Sequence, residues 1–386
     1  MMRAGVGRGV AVWKVLLVLL VSLAASAEER HPILALGSIA PDFALPGVDG
    51  KIHALSDYAS SPVLAVVFTC NHCPIAQMYE QRIQKLAADY ANRGVAVVAI
   101  EPNDPKAIRI DELDSSDVSD TLAEMKIRVR YKHLTYTYLY DGDTQKVTRA
   151  YGPQATPHIF IFDQQRRLQY EGRIDNSYRT ELVKTNDARN AIEALLAHKD
   201  VAVKHTGVFG CSTKWSEKSA DRVAAMQKLE AQPVTVTLAS KADLAKLRTN
   251  PSHKLMLVDF WATWCGSCIV EFGDIEDTLR MYEDRDFLLV TISANMPDER
   301  ASVLRFLEKK HATSTNLLFN SEDTEALQKA FDPTWDSAVP YTVLLSGDGK
   351  VLYKKQGDVD ILELRRAILA NSPSDYIGFN KYWRGR

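Results

Sequence analysis

The sequence predicts an α/β protein made of two similar domains in tandem, each with a mixed central β-sheet flanked by helices. Three observations lead to this prediction. Two C-x-x-C pairs, Cys70/Cys73 and Cys265/Cys268, each follow an apolar strand-like run and precede a helix-like run. The same order of strands and helices then follows each pair, and each copy ends in a hairpin and a helix. A chain of 386 residues is long enough for two such domains.

In the first copy, the continuous apolar run 63–68 is typical of a strand that is buried on both faces. The helix after Cys73 carries its apolar residues on one stripe. Residues 101–105 are expected to form a loop. The other predicted elements of this copy are strands at 95–100, 136–140, 158–162 and 168–172, and helices at 119–132 and 186–198.

The second copy repeats this order, beginning with a buried strand at 255–262. Its other predicted elements are strands at 287–293, 316–319, 341–345 and 351–356, and helices after Cys268 and at 299–311, 323–331 and 361–370. The sequence therefore predicts domains at 35–200 and 234–371, joined by a linker at 201–233 that contains Cys211 and a connecting helix. A tail at 372–386 is expected to pack back on a domain.

The N-terminal segment has the features of a secretory signal peptide. Three cations, Arg3, Arg8 and Lys14, precede an apolar run that ends in Ala25-Ser26-Ala27. About eleven apolar residues are too few for an uncleaved membrane anchor, which needs about 20. We therefore expect cleavage after Ala27, a periplasmic or secreted protein, and no stable membrane span afterwards. The nearly neutral balance of 47 basic and 49 acidic residues predicts no nucleic-acid partner.

A C-x-x-C pair at a helix N-terminus predicts thiol–disulfide exchange. The first sulfur faces unpaired backbone N–H groups, which lower the pKa of its thiol from ~8.5 to about 3.5–7.5. Cys265 is thus the predicted nucleophile, and Cys268 is the thiol that resolves the mixed disulfide. A zinc ribbon would need a second ligand pair nearby, and the sequence has none. We expect no metal and no cofactor other than the redox-active disulfides.

Residues 258–268, Val-Asp-Phe-Trp-Ala-Thr-Trp-Cys-Gly-Ser-Cys, resemble the thioredoxin family, and the resemblance covers about 234–371. It implies that Asp259 is a buried acid that takes the proton of the resolving thiol, and that Pro340 is a cis-proline beside the substrate chain. Trp264 and Gly266 are expected on the substrate surface. The resemblance is strongest to the exported TlpA/ResA-like branch. It implies protein-disulfide substrates and a membrane electron donor of the DsbD/CcdA type.

Around the first pair, Phe-Thr-Cys-Asn-His-Cys-Pro at 68–74 resembles the redoxin (AhpC/TSA-like) group of thioredoxin-fold proteins, over about 35–215. The resemblance implies that Cys70 attacks, Cys73 resolves and Pro157 is the cis-proline. Leu64 stands where the second domain has Asp259, which predicts no buried acid at this site. His72 is expected at the substrate surface, where it can stabilise a thiolate.

A stabilised thiolate makes a dithiol couple more oxidising. We therefore expect electrons to pass from Cys265/Cys268 to Cys70/Cys73. Two alternatives remain open for the first domain. One is a thiol peroxidase, although Thr69 is not three residues before either cysteine, as the peroxiredoxin pattern requires. The other is a Cu(I)-binding or metallochaperone module, since thiolates and imidazole suit Cu(I).

Two further residues have open roles in the sequence. Cys211 lies in Gly-Cys-Ser-Thr-Lys-Trp at 210–215. It is either a small buried thiol or a resolving thiol for Cys70 or Cys73. His158 follows Pro157 directly and is expected either near the first site or packed on its strand.

Overall fold

The computed structural model describes residues 31–372. The predicted signal peptide at 1–27 lies outside these residues, as does the predicted tail beyond residue 372. Each of the two domains in the described range is built on one mixed sheet, of five strands in the first and six in the second. Within residues 31–372, no helix is both long enough and apolar enough to cross a membrane.

The first domain has nine strands and four α-helices in the described range. Its strands are β1 (Ala44–Pro46), β2 (Ile52–Ala54), β3 (Val63–Phe68), β4 (Val95–Glu101), β5 (Thr137–Tyr140), β6 (Ala155–Thr156), β7 (His158–Phe162), β8 (Leu168–Gly172) and β9 (Cys211–Ser212). Its helices are α1 (Pro74–Tyr90), α2 (Leu122–Lys132), α3 (Lys146–Tyr151) and α4 (Asp187–Leu196).

The main sheet of the first domain has the strand order β5-β4-β3-β7-β8, with β3, β4 and β5 parallel and β7 and β8 antiparallel. Alternate residues of β3 enter two different cores because successive side chains of a strand point to opposite faces. Val63, Ala65 and Val67 pack with α1 and α4. Leu64, Val66 and Phe68 pack with Tyr151 and the aromatic residues of β7. Burial of all six residues confirms the prediction of a strand covered on both faces.

A connecting helix, α5 (Ser219–Glu230), leads into the second domain. The strands of that domain are β10 (Thr237–Ala239), β11 (Leu255–Trp261), β12 (Phe287–Ser293), β13 (Thr315–Phe319), β14 (Tyr341–Leu345) and β15 (Val351–Gln356). Its helices are α6 (Lys241–Arg248), α7 (Gly266–Tyr282), α8 (Arg300–Lys309), α9 (Thr324–Phe331) and α10 (Ile361–Asn371). Single-turn 3-10 helices lie at Leu55–Tyr58, Ala91–Arg93, Pro105–Ala107, Ile110–Leu113, Thr180–Leu182, Ser216–Lys218, Glu283–Arg285 and Pro297–Glu299.

The second sheet has the order β10-β13-β12-β11-β14-β15. Its central strands β11, β12 and β13 are parallel, and β14 and β15 form the antiparallel hairpin that the sequence predicts. The edge strand β10 and helix α6 were not predicted. Both are short and largely exposed, so their apolar pattern is weak.

Part of the predicted linker belongs to the first domain. Strand β9 pairs antiparallel with β6, which places Cys211 opposite Thr156. Helix α5 also contacts this domain, because Arg222 Nη1 donates a hydrogen bond to the carbonyl oxygen of Pro105, 2.7 Å away. The sequence could not show this, since a two-residue pairing between distant segments has no periodic pattern.

The two domains contact each other through the segment 110–117 of the first domain. Ile110 and Leu113 pack on the core formed by α7 and α10. Tyr282 Oη donates a hydrogen bond to the carbonyl oxygen of Ser116 at 2.7 Å, and Arg366 Nε lies 2.6 Å from Asp117 Oδ2. Helices α7 and α10 of the second domain therefore lie against the segment 110–117 of the first domain.

Candidate redox centres

In the second domain, helix α7 begins directly after the first cysteine of the pair, Cys265. Cys265 and Cys268 form a disulfide. Cys265 caps the N-terminus of α7, and its sulfur accepts a hydrogen bond from the backbone N–H of Cys268 at 3.3 Å. This sulfur also lies 3.7 Å from the carbonyl oxygen of Val339. The peptide bond between Val339 and Pro340 is cis, as the sequence comparison implied.

Asp259 is a buried acid on β11, the strand that leads to Cys265. It is 2% exposed, and Thr342 Oγ1 donates a hydrogen bond to its Oδ1 at 2.8 Å. Burial raises the pKa of Asp259 to about 7, although the hydrogen bond from Thr342 opposes the rise. A carboxyl with a pKa near neutrality can both accept and return a proton under ordinary conditions.

The surface around Cys265 is apolar and open. Trp264 is 65% exposed and Val270, in the first turns of α7, is 81% exposed. Met296 is 42% exposed, and its neighbour Asn295 donates a hydrogen bond to Thr263 Oγ1 at 2.7 Å. Gly266, between the cysteines, has no atom within 4 Å of where a Cβ would lie. Exposed apolar groups of this kind mark surfaces that contact another chain.

In the first domain, helix α1 begins directly after the second cysteine of the pair, Cys73. Cys73 caps α1, and its sulfur accepts a hydrogen bond from the backbone N–H of Ala76 at 3.5 Å. The Cys73 sulfur lies 3.4 Å from the carbonyl oxygen of Thr156, which precedes the cis peptide bond to Pro157. Cys73 therefore occupies the position that Cys265 holds in the second domain. Cys70 lies three residues before Cys73, outside the helix, and its sulfur is 3.1 Å from Thr156 Oγ1.

Two buried acids lie beside the first pair, which contradicts the prediction that this site has none. Asp120 and Glu101 are both fully buried. Asp120 accepts hydrogen bonds from the backbone N–H groups of Asn71 and His72, at 2.9 and 3.0 Å. Asn103 Nδ2 donates to Glu101 at 2.8 Å and to Asp120 at 2.9 Å, and so joins the two carboxyl groups. Glu101 ends strand β4 and is not part of a loop as predicted.

His72 lies inside the domain and not on the substrate surface, which corrects a second prediction. Its side chain is drawn inward by Asp120, whose Oδ2 lies 2.6 Å from His72 Nδ1. Burial lowers the pKa of His72, but the charge of Asp120 more than offsets this and raises that pKa above its ordinary value. The same pairing holds the pKa of Asp120 below its ordinary value in spite of burial.

The two thiols of the first pair differ in acidity, and the difference favours Cys73. Burial alone would raise the pKa of Cys73, but hydrogen bonds from Cys211 and Cys70 and the charge of His72 hold it well below the ordinary value. Burial, the hydrogen bond with Cys73 and the charge of Asp120 all raise the pKa of Cys70. The thiolate of this site is therefore on Cys73, which corrects the expectation that Cys70 is the attacking thiol.

One group of potential metal ligands lies in the described part of the chain. Ligand atoms of Cys70, His72 and Asp120 lie within 4.8 Å of one another. The predicted Cu(I) set of Cys70, His72 and Cys73 does not form such a group there. His72 Nδ1 already pairs with Asp120, and His72 Nε2 has no hydrogen-bond partner among the described residues. Of the ligand atoms in this group, His72 Nε2 is thus unpartnered, whereas the Cys70 sulfur lies 3.1 Å from Thr156 Oγ1.

Family profiles match both halves of the chain. The AhpC/TSA family profile matches residues 36–171, and the Redoxin profile matches residues 225–368. The chain belongs to the thioredoxin superfamily. Both strand orders agree with this membership, because in each sheet a central parallel strand leads into the cysteine-bearing loop and is flanked by the strand after the cis-proline.

Among characterised members of the superfamily, thiol-disulfide oxidoreductase ResA of Geobacillus thermodenitrificans (strain NG80-2) is 27% identical over 136 residues, which are 35% of this chain and 68% of the relative. A solved structure of a hypothetical protein from Sinorhizobium meliloti 1021 is 36% identical, covering 48% of this chain and 97% of that one with a TM-score of 0.42. An uncharacterized conserved protein from Geobacillus kaustophilus is 34% identical, with coverages of 48% and 94% and a TM-score of 0.43. As a member of the thioredoxin superfamily, the 386-residue chain is itself an oxidoreductase.

Sequence reasoning missed one group of residues at the first site. Glu101, Asn103 and Asp120 come from the end of β4 and from the loop before α2, so no spacing relative to Cys70 identifies them. A weak indication existed, because Glu101 ends an otherwise apolar run. His158 is placed clearly: it is buried, and its Nε2 lies 2.9 Å from Glu171 Oε2. It therefore has a packing and hydrogen-bonding role on its strand.

Proposed function

We propose that this chain is an exported thiol–disulfide oxidoreductase whose second domain reduces disulfides in proteins through Cys265 and Cys268. The observation that carries the proposal is the position of Cys265 at the N-terminus of α7, next to the cis-proline and under an exposed apolar surface. Unpaired N–H groups and the helix dipole stabilise a thiolate at this position in the reduced form. The Redoxin profile match and the ResA relative support the same activity.

The reaction has two steps. The Cys265 thiolate attacks a substrate disulfide, forms a mixed disulfide and releases one substrate thiolate. Cys268 then attacks Cys265, which releases the second substrate thiol and leaves the Cys265–Cys268 disulfide. Asp259 takes the proton of Cys268 in this second step, a role suited to its pKa of about 7.

Substrates of the second domain are disulfide-bearing proteins. Trp264, Val270 and Met296 offer apolar contacts to a polypeptide, and the Val339 carbonyl before Pro340 is free of any strand partner among the described residues. An extended substrate segment can therefore pair there by its backbone. A small disulfide such as glutathione disulfide would gain little from this surface.

Insulin reduction with dithiothreitol as the electron source tests the assignment. In the background in which Cys70, Cys73 and Cys211 are replaced by serine, Cys265→Ser should lower the rate at least about 100-fold, because the second domain then has no thiolate that can attack the substrate. Cys70→Ser/Cys73→Ser/Cys211→Ser is the companion variant, since it keeps only the second pair. An unchanged rate in Cys265→Ser would refute the proposal.

We also propose that the first pair has the higher reduction potential, so that electrons pass from Cys265/Cys268 to Cys70/Cys73. Stabilisation of the Cys73 thiolate by Cys211, Cys70 and His72 supports this order, because a stabilised thiolate favours the reduced form. Separate glutathione redox titrations of each pair, with the other pair replaced by serine, test it. Potentials in the reverse order would overturn it.

A second candidate function for the first domain is thiol peroxidase activity, which the AhpC/TSA profile match at 36–171 supports. Stopped-flow oxidation of the reduced first domain by hydrogen peroxide, followed in the Cys265→Ser/Cys268→Ser protein, tests it. The Cu(I) alternative is tested by titration of that same protein with Cu(I), with His72→Gln as its matched variant.

Export and the electron source complete the proposal. The pattern at 1–27 supports cleavage after Ala27 and a periplasmic or secreted protein. A protein that acts as a reductant outside the cytoplasm needs a membrane thiol donor, which we propose is of the DsbD/CcdA type. N-terminal sequencing of the exported protein tests the cleavage. The redox state of Cys265 and Cys268 in cells lacking such a donor tests the partner.

A further inference from the structure

The groove beside Pro157 is occupied by a segment of the chain itself. Strand β9 pairs antiparallel with β6, and Cys211 lies opposite Thr156, the residue before the cis-proline. Gly210 allows this close approach, because a Cβ there would lie 2.0 Å from the carbonyl oxygen of Thr156. Thr213 Oγ1 holds the segment by donating a hydrogen bond to the carbonyl oxygen of Pro153 at 2.7 Å. A substrate strand would pair with the matching residue of the second domain in this same way.

Three sulfurs meet at this groove. The backbone N–H of Cys211 donates a hydrogen bond to the sulfur of Cys73 at 3.2 Å. Both Cys73 and Cys70 contact Thr156, through its carbonyl and its hydroxyl group respectively. Cys70 and Cys73 are 2% and 0% exposed, whereas Cys211 is half-buried. Cys211 is therefore the most accessible of the three residues to a disulfide in solvent.

The protonation states of the three thiols fit a transfer towards Cys73. Hydrogen bonding to Cys73 and burial raise the pKa of Cys211, so Cys211 keeps its proton while Cys73 is the thiolate. A thiolate already directed at a neighbouring thiol becomes the attacking group as soon as that neighbour is part of a disulfide.

We propose that Cys211 is a built-in substrate thiol of the first domain, which receives a disulfide from an external partner and passes it through Cys73 to Cys70. This inference rests on the proposed thiol–disulfide function and names the route by which the buried first pair exchanges electrons. The external partner is a disulfide-bearing peptide or protein.

The transfer has three steps, and its atoms and electrons balance. The Cys73 thiolate takes the proton of Cys211 as the Cys211 sulfur attacks the substrate disulfide, and the departing substrate sulfur then takes that proton from Cys73. Cys73 then attacks Cys211, which forms the Cys73–Cys211 bond and releases the second substrate sulfur, which takes a proton from solvent. Finally Cys70 attacks Cys73, and Cys211 leaves and takes up the proton of Cys70. The substrate gains two electrons, and the Cys70–Cys73 disulfide forms.

The test uses the full chain with Cys265→Ser and Cys268→Ser, so that only the first site can react. With Cys70→Ser added, the last step is blocked, and brief treatment of the reduced protein with glutathione disulfide should trap a Cys73–Cys211 disulfide. Peptide mapping after acid quenching and alkylation detects the bond. A positional control, Cys211→Ser with Ser212→Cys, moves the thiol to the opposite face of the strand and should yield about tenfold less bond.

A time course on the protein that retains all three thiols needs no substitution in the first site. The Cys73–Cys211 bond should appear before the Cys70–Cys73 bond, and Cys211→Ser should slow formation of the latter at least about tenfold. If Cys211 stays a thiol or a glutathione adduct in the Cys70→Ser protein, or if Cys211→Ser oxidises at the parent rate, the inference is wrong and Cys211 is a packing thiol. Insulin reduction by Cys265/Cys268 is scored separately, so failure of the relay is distinct from failure of the proposed function.

Discussion

The two C-x-x-C sites share a spacing but differ in which cysteine begins the helix. In the second domain the N-cap is the first cysteine, Cys265, and in the first domain it is the second, Cys73. Each N-cap sulfur lies close to the carbonyl oxygen before a cis-proline, at 3.7 and 3.4 Å. The backbone N–H groups that stabilise a thiolate belong to the start of the helix. The two sites therefore place different cysteines of the pair at the helix N-terminus, and at Cys73 hydrogen bonds from Cys211 and Cys70 and the charge of His72 lower the pKa of the thiol further.

The sites also differ in their surroundings. Cys265 lies under an exposed surface formed by Trp264 and Val270, and one acid, Asp259, is buried on the strand below it. Cys73 is covered by the Cys211 segment and lies within a network of buried charges that includes His72 and Asp120. The second site therefore has exposed apolar side chains beside its N-cap residue. The covered site is suited to one defined partner thiol.

The largest expected effect concerns the attacking sulfur of the first site. In the Cys265→Ser/Cys268→Ser background, a protein that keeps only Cys73 should react with iodoacetamide at pH 7 at least about 100-fold faster than one that keeps only Cys70, because only Cys73 is a thiolate there. Serine at the other positions preserves hydrogen-bond donors to the remaining sulfur. Equal rates, or a faster Cys70, would remove the distinction between the two sites.

Asp259→Asn should stabilise the second domain at pH 8. The folded-state pKa of about 7 lies above the ordinary 3.8, so the folded protein binds an extra proton between these values and loses stability as the pH rises through this window. Removing the charge should therefore raise the free energy of unfolding at pH 8 by up to about 4 kcal/mol, or about 1000-fold in the unfolding constant, with little change at pH 4. Denaturant unfolding at both pH values measures this.

Glu276→Gln is the matched control for Asp259→Asn. Burial also raises the pKa of Glu276 to about 7, this residue is hydrogen-bonded to Ser314, and its charge is the smallest of the causes that act on the pKa of Asp259. It should show a similar gain in stability at pH 8 with unchanged insulin reduction, whereas Asp259→Asn should slow insulin reduction. If both variants reduce insulin at the same rate, Asp259 is not the proton acceptor of Cys268.

His72→Gln should make the first pair about tenfold more reducing, a change of about 30 mV, because it removes the cation that stabilises the Cys73 thiolate. Redox titration against glutathione measures the shift, and the pH profile of alkylation should move upward with it. His158→Gln serves as the control, since His158 pairs with Glu171 and does not contact either thiol. An equal shift in both variants would point to a general structural effect.

The smallest effect concerns the contact between the domains. Tyr282→Phe removes the hydrogen bond to the carbonyl oxygen of Ser116 and should lower the free energy of unfolding by about 1 kcal/mol. Tyr353→Phe is the control, because the buried hydroxyl of Tyr353 has no hydrogen-bond partner among the described residues. Its removal should be neutral. A loss in Tyr353→Phe as large as in Tyr282→Phe would contradict this account of the interface.

The sequence alone determined most of the architecture and the second site. Apolar strands before each C-x-x-C pair, an amphipathic helix after it and a hairpin at the end are local patterns, and the structure reproduces them in both copies. The cysteines, Asp259 and Pro340 lie within short, specific motifs. Local periodicity predicts such features because burial repeats every two or 3.6 residues.

Only the tertiary structure decided the character of the first site. Because α1 begins at Pro74, its N-cap is Cys73. Asp120 and Glu101 belong to other segments of the chain, and the fold places them beside the cysteines. Pairing of Cys211 with Thr156 joined segments more than fifty residues apart. Charges and thiols act on one another through space, and their distances are set by packing between elements. No pattern of neighbouring residues contains that information.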